Sequence, residues 1–183
     1  MKKKDLTRRS FLHASTVVAG SLTAGSLLTR DGRAAQPKAS GIYICTVCGH
    51  IEFGGMPDTC PVCHAPRDKF KQDDAVFTEA AARYKEGAGK HIPVIQVKSS
   101  ALITEEPCKE VAVRIGKPLH AQTEAHHIAF LDCYVDNKYI GRADLTPGIL
   151  PAATFYLKAG GSKVKVVEFC NLHSYWQAEA DLQ

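Results

Sequence analysis

Hydrophobic and polar residues alternate in short runs along the C-terminal half of this 183-residue chain. The runs are rich in β-branched residues and predict strands over residues 92–97, 110–115, 127–135, 154–158 and 163–170. Clusters of turn-forming residues separate them, notably at 136–138, 146–148 and 159–161. Several strands at this spacing predict a mostly β fold, with an immunoglobulin-like antiparallel β-sandwich in this half.

The N-terminal half has a different pattern. Residues 42–70 are rich in glycine, proline and cysteine, and so short a segment needs a bound metal to fold. Residues 71–90 are charged and polar, with at most a short helix around residues 79–84. We therefore divide the chain into a leader (1–35), a small metal-binding domain (36–72), a linker (73–90) and the sandwich domain (91–183).

The leader has the pattern of an export signal. Lysines at 2–4 precede a twin-arginine motif at residues 8–9, and residues 14–29 are small or apolar and uncharged. A spanning helix needs about 20 strongly apolar residues, so this shorter stretch predicts a signal peptide and not a permanent membrane span. We expect cleavage near residues 34–35 and a periplasmic or other extracytoplasmic location.

The charge of the chain is concentrated in that leader. The whole chain has 23 Lys and Arg against 19 Asp and Glu, a net charge of +4. Seven of the basic and two of the acidic residues lie in residues 1–35, which leaves sixteen against seventeen in the remainder. A nearly neutral body lacks the basic surface that phosphate backbones require, so nucleic acid is excluded as a partner.

Four of the seven cysteines form two C-x-x-C pairs, Cys45 with Cys48 and Cys60 with Cys63. Two such turns aim four thiolates at one point, and this spacing predicts a tetrahedral metal cage and not a disulfide framework. Residues 43–49 and 60–70 resemble the rubredoxin-like module of rubrerythrins. The resemblance implies iron, and zinc is the alternative metal because four thiolates suit both. The neighbouring His50 and His64 are expected to be exposed and not to be ligands.

A second set of metal-binding residue types lies in the predicted sandwich. It comprises Lys90-His91-Ile-Pro93, the segment His120 to His127 with histidines at 120, 126 and 127, and Cys170-Asn171-Leu-His173. Imidazole and thiolate are ligands of transition metals, and these residues fall at predicted strand ends and loops. The pattern predicts one mononuclear metal site.

This second set resembles the iron-binding domain of the superoxide reductase family, the desulfoferrodoxins and neelaredoxins, over roughly residues 80–180. The resemblance assigns five iron ligands: His91, His120, His126, Cys170 and His173. It makes His127 a non-ligand, because that position corresponds to an aromatic residue in the family. It also implies that Lys90 is a catalytic residue, whose positive charge attracts superoxide and stabilises its adduct.

Two departures from the family pattern stand out. The family commonly has a glutamate before the lysine, as a cap on the oxidised iron, whereas this chain has Gly89; Glu86 is the nearest substitute. Two-iron members usually begin with a desulforedoxin-like segment whose last two cysteines are adjacent, so the N-terminal module has been exchanged here. Cys108 and Cys133 have no ligand spacing, and a disulfide between them stays open.

The predicted function is the reduction of superoxide to hydrogen peroxide at the histidine- and cysteine-ligated iron. Electrons are expected to come from a reduced donor protein through the four-cysteine iron, in a homo-oligomer. Two alternatives remain at this point. One is a non-enzymatic electron-transfer or metal-binding protein, and the other is a superoxide dismutase.

Overall fold

The computed structural model describes residues 41–103, 105–158 and 160–183. The predicted leader, residues 1–35, lies outside the described residues. Within the described part, no helix has the length and apolar character needed to cross a membrane. The described residues all belong to one compact unit.

The N-terminal module is a small antiparallel sheet carrying two cysteine turns. Its strands are β1 (Ile42–Cys45), β2 (Ile51–Phe53) and β3 (Phe70–Gln72), in the order β2-β1-β3. A 3-10 helix at Arg67–Lys69 precedes β3. The buried side chains of this module include Tyr43 and Phe70, but its core otherwise consists largely of the cysteines themselves.

A helical segment connects the module to the sandwich. Helix α1 spans Val76–Arg83, which confirms the short helix predicted here, and a 3-10 turn at Lys85–Gly87 leads into the one-turn helix α2 at Ala88–His91. Val76 and Ala80 of α1 are buried. Helix α1 therefore packs against the rest of the protein and is not a free tether.

The C-terminal half is the predicted antiparallel sandwich. One sheet has the order β10-β9-β6-β7 and the other the order β4-β5-β8. Their bounds are β4 Pro93–Ser100, β5 Cys108–Ile115, β6 Ile128–Val135, β7 Lys138–Asp144, β8 Ala152–Leu157, β9 Lys163–Cys170 and β10 Ser174–Asp181. Val111 and Ile115 of one sheet pack against Leu131, Val164 and Val166 of the other.

Two of these strands, β7 and β10, were not predicted. Strand β7 has no buried residue, and Gly141 and Arg142 interrupt its apolar pattern. Strand β10 ends in alanines and acidic residues, which have low strand propensity. A local signal for β7 did exist in the turn-forming residues 136–138. In the structure Asp136 and Asn137 both take positive φ, as in the two-residue turn of a β-hairpin, and this turn joins β6 to β7.

An apolar cluster joins the N-terminal module to the outer face of the larger sheet. Ile51 of the module and Val76 of α1 pack with Phe130, Tyr134, Val167 and Tyr175 of the sandwich. Burying a large apolar side chain stabilises a fold by roughly 1.5–3 kcal/mol. This cluster therefore holds the module in a defined position on the sheet.

A buried polar network lies beside that cluster and corrects one prediction. His50, expected to be exposed, is fully buried, whereas His64 is exposed as predicted. His50 Nδ1 lies 2.9 Å from Asp132 Oδ2, and Arg142 donates to both oxygens of Asp132 at 2.6 and 2.7 Å. Burial lowers the pKa of His50, but hydrogen bonds to Asp132 and Glu52 outweigh it, so the net pKa is raised.

Breaking this network is expected to destabilise the protein strongly. In Asp132→Ala, Arg142 loses the carboxylate that compensates its buried charge, and such a loss costs about 3–5 kcal/mol. Urea unfolding at neutral pH measures the change in the free energy of unfolding. The matched control is Asp58→Ala, which breaks the exposed pair with Arg67 and should cost less than about 1 kcal/mol. Equal costs for the two variants would contradict a stabilising role for the network.

Candidate metal centres

The four cysteines of the module lie at two similar turns. Cys45 ends β1, and the amide of Gly49 donates to its carbonyl at 2.8 Å; the amide of His64 donates to the carbonyl of Cys60 at 3.0 Å. Gly49 and His64 both have positive φ, of 72° and 61°. Each turn directs two thiols inward, as the C-x-x-C spacing predicts.

The sulfur positions fit a tetrahedral metal. Cys45 Sγ lies 3.7 Å from Cys63 Sγ, and Cys48 Sγ lies 3.7 Å from Cys60 Sγ. Metal–sulfur bonds of about 2.3 Å in a tetrahedron place neighbouring sulfurs about 3.8 Å apart. A disulfide would bring them to about 2.05 Å. The cage therefore fits iron or zinc, and all four cysteines are free.

The second site brings together the five residues that the family resemblance assigns. The candidate ligand atoms of His91, His120, His126, Cys170 and His173 all lie within 4.8 Å of one another. They come from three segments of the chain. His91 ends α2, and His120 and His126 lie in the loop between β5 and β6. Cys170 ends β9, and His173 lies in the turn between β9 and β10.

The four imidazoles form a closed square. Their neighbouring ring centroids are 4.5 to 4.8 Å apart, in the order His91, His120, His126, His173, and the His91–His126 diagonal is 6.2 Å. His91 Nε2 lies 3.0 Å from His173 Nδ1 and 3.2 Å from His120 Nε2. Metal–nitrogen bonds of about 2.1 Å at right angles place neighbouring nitrogens about 3.0 Å apart. The square therefore fits one metal ion.

Cys170 supplies a fifth ligand atom. Its Sγ lies 3.4 Å from His173 Nδ1 and 3.7 Å from His120 Nε2. The Nε2 atom of His126 is buried and has no hydrogen-bond partner, which a bound metal would satisfy. Four imidazole nitrogens and one thiolate suit iron.

Hydrogen bonds from the opposite ring nitrogens set the orientation of two ligands. His91 Nδ1 donates to the carbonyl of Gly87 at 2.8 Å, and His120 Nδ1 donates to the carbonyl of Ala121. Because a carbonyl only accepts, the proton of each neutral ring must lie on Nδ1, which leaves Nε2 free to bind metal. Trp176 stacks on His91 at 5.1 Å and restricts its rotation.

Burial also keeps these groups in defined protonation states. It lowers the pKa of His91 and His126 and lowers that of His120 to about 4, so these imidazoles are neutral at pH 7. Burial raises the pKa of Cys170. Metal binding at this site must therefore displace the thiol proton.

A glycine that the sequence did not single out lets two ligand segments approach each other. Gly116 has φ +86°, and a Cβ atom there would lie 2.4 Å from the carbonyl oxygen of Lys90. The amide of the next residue, Lys117, donates to the carbonyl of Gly89. Only glycine fits here, and its contact places His91 beside the loop that carries His120.

The square of histidines opens into a pocket of about 640 Å³. Its lining includes three cations and one carboxylate, so it favours a small anion. The lining residues are Arg83, Tyr84, Lys85, Glu86, Gly87, Lys90, His91, His126 and His173. Lys90 and Glu86, both singled out from the sequence, lie here, whereas Arg83, Lys85 and Tyr84 were not predicted.

Sequence comparisons place the chain among known proteins. The family described as Desulfoferrodoxin matches residues 83–179, more than half of the chain. The desulfoferrodoxin of Desulfarculus baarsii is 32% identical over 147 residues, covering 79% of this chain and 99% of the relative. The superoxide reductase of Pyrococcus horikoshii is 30% identical over 106 residues, covering 51% of this chain and 88% of the relative. This chain belongs to the desulfoferrodoxin family.

The fold agrees with this assignment. The crystal structure of the superoxide reductase from Treponema pallidum superposes with a TM-score of 0.50 at 21% identity, covering 76% of this chain and 98% of that chain. The N-terminal module, residues 43–71, matches the rubrerythrin, rubredoxin-like domain. The rubredoxin-like nature of this module, predicted from its cysteine spacing and flanking residues, is confirmed.

Three other residues of this desulfoferrodoxin-family chain lie outside the two ligand sets. Cys108 and Cys133 are both free thiols, and Cys108 Sγ donates to the carbonyl of Ser100 at 3.2 Å. His127 does not join the ligand cluster; its amide donates to the side chain of Asn171 at 3.0 Å. His127 and Asn171 therefore tie together the two loops that carry the ligands.

Proposed function

We propose that this protein reduces superoxide to hydrogen peroxide at an iron held by His91, His120, His126, His173 and Cys170. The single observation that carries the proposal is the closed square of four imidazoles with a cysteine sulfur beside it, at the base of a cation-lined pocket. Iron held there supplies one electron, and each superoxide takes up that electron and two protons to form one hydrogen peroxide.

The residues around the pocket have separate tasks. Arg83, Lys85 and Lys90 line the pocket and attract the anion. The pocket is open to solvent at Lys90, which is exposed, so water can deliver protons. Glu86 also lines the pocket. It is the nearest carboxylate in sequence to Gly89, which stands where the family commonly has its capping glutamate.

Anaerobic mixing of the reduced, iron-loaded protein with a known superoxide pulse tests the proposal. We expect one hydrogen peroxide per superoxide consumed and no oxygen. Half a peroxide per superoxide with oxygen released would identify a dismutase instead. An absence of reaction would leave only a metal-binding protein.

Lys90 is expected to control the rate of capture. Lys90→Ala should lower the second-order rate constant by about tenfold, since a unit charge a few ångströms from an anion contributes on the order of 1–4 kcal/mol near a protein surface. The rate should also become less sensitive to ionic strength. Lys98→Ala is the control, because Lys98 pairs with Glu110 at 2.9 Å and does not line the pocket. Equal second-order rate constants for the two variants would show that Lys90 has no specific role in capturing superoxide.

We further propose that the four-cysteine site holds iron, accepts electrons from a reduced donor protein and passes them to the catalytic iron. Iron analysis and visible absorption distinguish an iron-loaded cage from a zinc-loaded one. The homo-oligomeric state stays a prediction, which analytical ultracentrifugation measures.

We also propose export by the twin-arginine route to the periplasm or another extracytoplasmic compartment. The support is the sequence of the leader alone: its lysines, its arginine pair and its short uncharged stretch. Cell fractionation tests it, and the R8K/R9K double variant should accumulate in the cytoplasm. An unchanged distribution of that variant would contradict the route.

A further inference from the structure

Tyr175 makes a hydrogen bond that links the two segments of the chain carrying the metal sites. Its hydroxyl donates to the carbonyl of Gly49 at 2.9 Å, and Gly49 directly follows the ligand Cys48. At its other end, Tyr175 lies two residues after the ligand His173 in the chain. One hydrogen bond and a short stretch of covalent backbone therefore join a ligand of one site to a ligand of the other.

The surrounding packing holds this contact in place. Tyr175 is buried, at 7% exposure, and a Cβ atom on residue 49 would lie 2.9 Å from its hydroxyl, so glycine is what allows the approach. Across the ladder between β9 and β10, Tyr175 pairs with Phe169, and the two rings are 4.7 Å apart. Phe169 in turn precedes the ligand Cys170. Tyr175 is therefore linked along the backbone to His173 and, through its packing on Phe169, to the residue that precedes Cys170.

A second contact reaches the module from the same sheet but is less direct. Arg142 donates to the carbonyl of Cys48 at 2.9 Å and lies 3.5 Å above the ring of Phe130, which stacks on Phe169 at 5.6 Å. This path crosses two non-bonded gaps between side chains before it reaches Cys170. Electron tunnelling falls off more steeply across such gaps than along covalent and hydrogen bonds.

We propose that Tyr175 is the main route by which electrons pass from the four-cysteine site to the catalytic site within one chain. The inference rests on the proposed function, because it assumes iron in both sites. In the step, the four-cysteine iron loses one electron and the catalytic iron gains one. No bond forms or breaks and no proton moves at Tyr175, whose hydrogen bond only couples the two sites.

Tyr175 acts through the residues next to the ligands and does not touch superoxide, so it is a positioning residue.

Tyr175→Phe is the decisive variant, and Tyr134→Phe is its matched control. Tyr134 is also buried, and its hydroxyl donates to the carbonyl of Ile51 at 2.7 Å. Both variants therefore lose one hydroxyl and one hydrogen bond to the N-terminal module. Tyr134 differs in being in strand β6, far along the chain from His173 and Cys170. Phenylalanine keeps the ring packing of both residues.

The experiment mixes the fully reduced, iron-loaded protein with a limiting amount of superoxide and follows the ferric absorption of each site. In the wild type we expect the catalytic iron to be oxidised first. The ferric signal should then move to the four-cysteine site with a rate constant independent of protein concentration. We expect Tyr175→Phe to slow this transfer severalfold and Tyr134→Phe to leave it unchanged. The reduction potentials of both sites and the melting temperature should differ little between the variants.

The outcomes separate this inference from the proposed function. An unchanged transfer rate in Tyr175→Phe overturns the route, as does a slower rate explained by a shifted potential or matched by Tyr134→Phe. A wild-type rate that rises with protein concentration, or no transfer at all, overturns transfer within the chain. In each of these cases one peroxide per superoxide in the same mixture still establishes the reductase, and its absence contradicts the proposed function itself.

Discussion

Replacing Cys170 by serine is expected to remove most of the activity with superoxide. A serine hydroxyl is a harder ligand than thiolate and does not deprotonate as readily, so it donates less electron density to iron. Changes in groups that merely support a ligand cost roughly 10–100-fold. We expect the loss of this ligand to exceed that range. Stopped-flow measurement of superoxide consumption gives the rate, and the visible absorption of the thiolate-bound ferric iron should disappear.

Cys133→Ser is the control for this variant. Cys133 is also a fully buried cysteine of the same sheet, in β6, but it belongs to the apolar core and to neither ligand cluster. Its serine variant is expected to lose some stability and to keep both the absorption and the rate. A Cys170→Ser protein with the wild-type rate would show that the thiolate is not needed for the reaction.

Removing one cysteine from the four-cysteine cage is expected to unfold the N-terminal module. The three strands of this module have only three or four residues each, and its own core is largely the cysteines. Structural metal sites of this kind contribute on the order of 10 kcal/mol to folding. Cys60→Ala should therefore lose the metal, and β1–β3 should lose their protection against hydrogen exchange.

The same experiment has an internal reference. Strands β5, β6 and β9 form the centre of the sandwich and should stay protected in Cys60→Ala, because their core does not use the cage. Cys108→Ser is the matched variant, since Cys108 is a buried free thiol outside the ligand clusters. Full protection of β1–β3 in Cys60→Ala would mean that the apolar contacts of Ile51 and its neighbours suffice to hold the module.

The two metal centres differ in how far the sequence alone predicts them. The four-cysteine cage follows from local spacing, because each C-x-x-C turn brings its own pair of thiols together. The second site joins residues 82 positions apart, from His91 to His173, and only the family resemblance selected the ligands among the available histidines. Whether ligands so far apart in sequence meet depends on the order of the strands in the sheets, and no short sequence motif predicts that order.

Residues at the contact between the module and the sandwich were the least predictable. His50 looked like an exposed polar residue because nothing nearby in sequence shows that Asp132 and Arg142 will enclose it. Tyr175 likewise follows a recognised ligand motif, but its partner is a carbonyl 126 residues away. Strand β7 was missed for a related reason, since it is half-exposed and its packing gives no clear apolar alternation.

The spread of the ligands along the chain sets an order in which the two centres can be completed. The last cysteine of the cage is residue 63, so all four cysteines have been synthesised when about two thirds of the protein has yet to be made. The second site lacks its fourth histidine until residue 173 has been synthesised and β9 has paired with β10. A prematurely terminated chain would thus carry a complete four-cysteine metal site but an incomplete histidine and cysteine site.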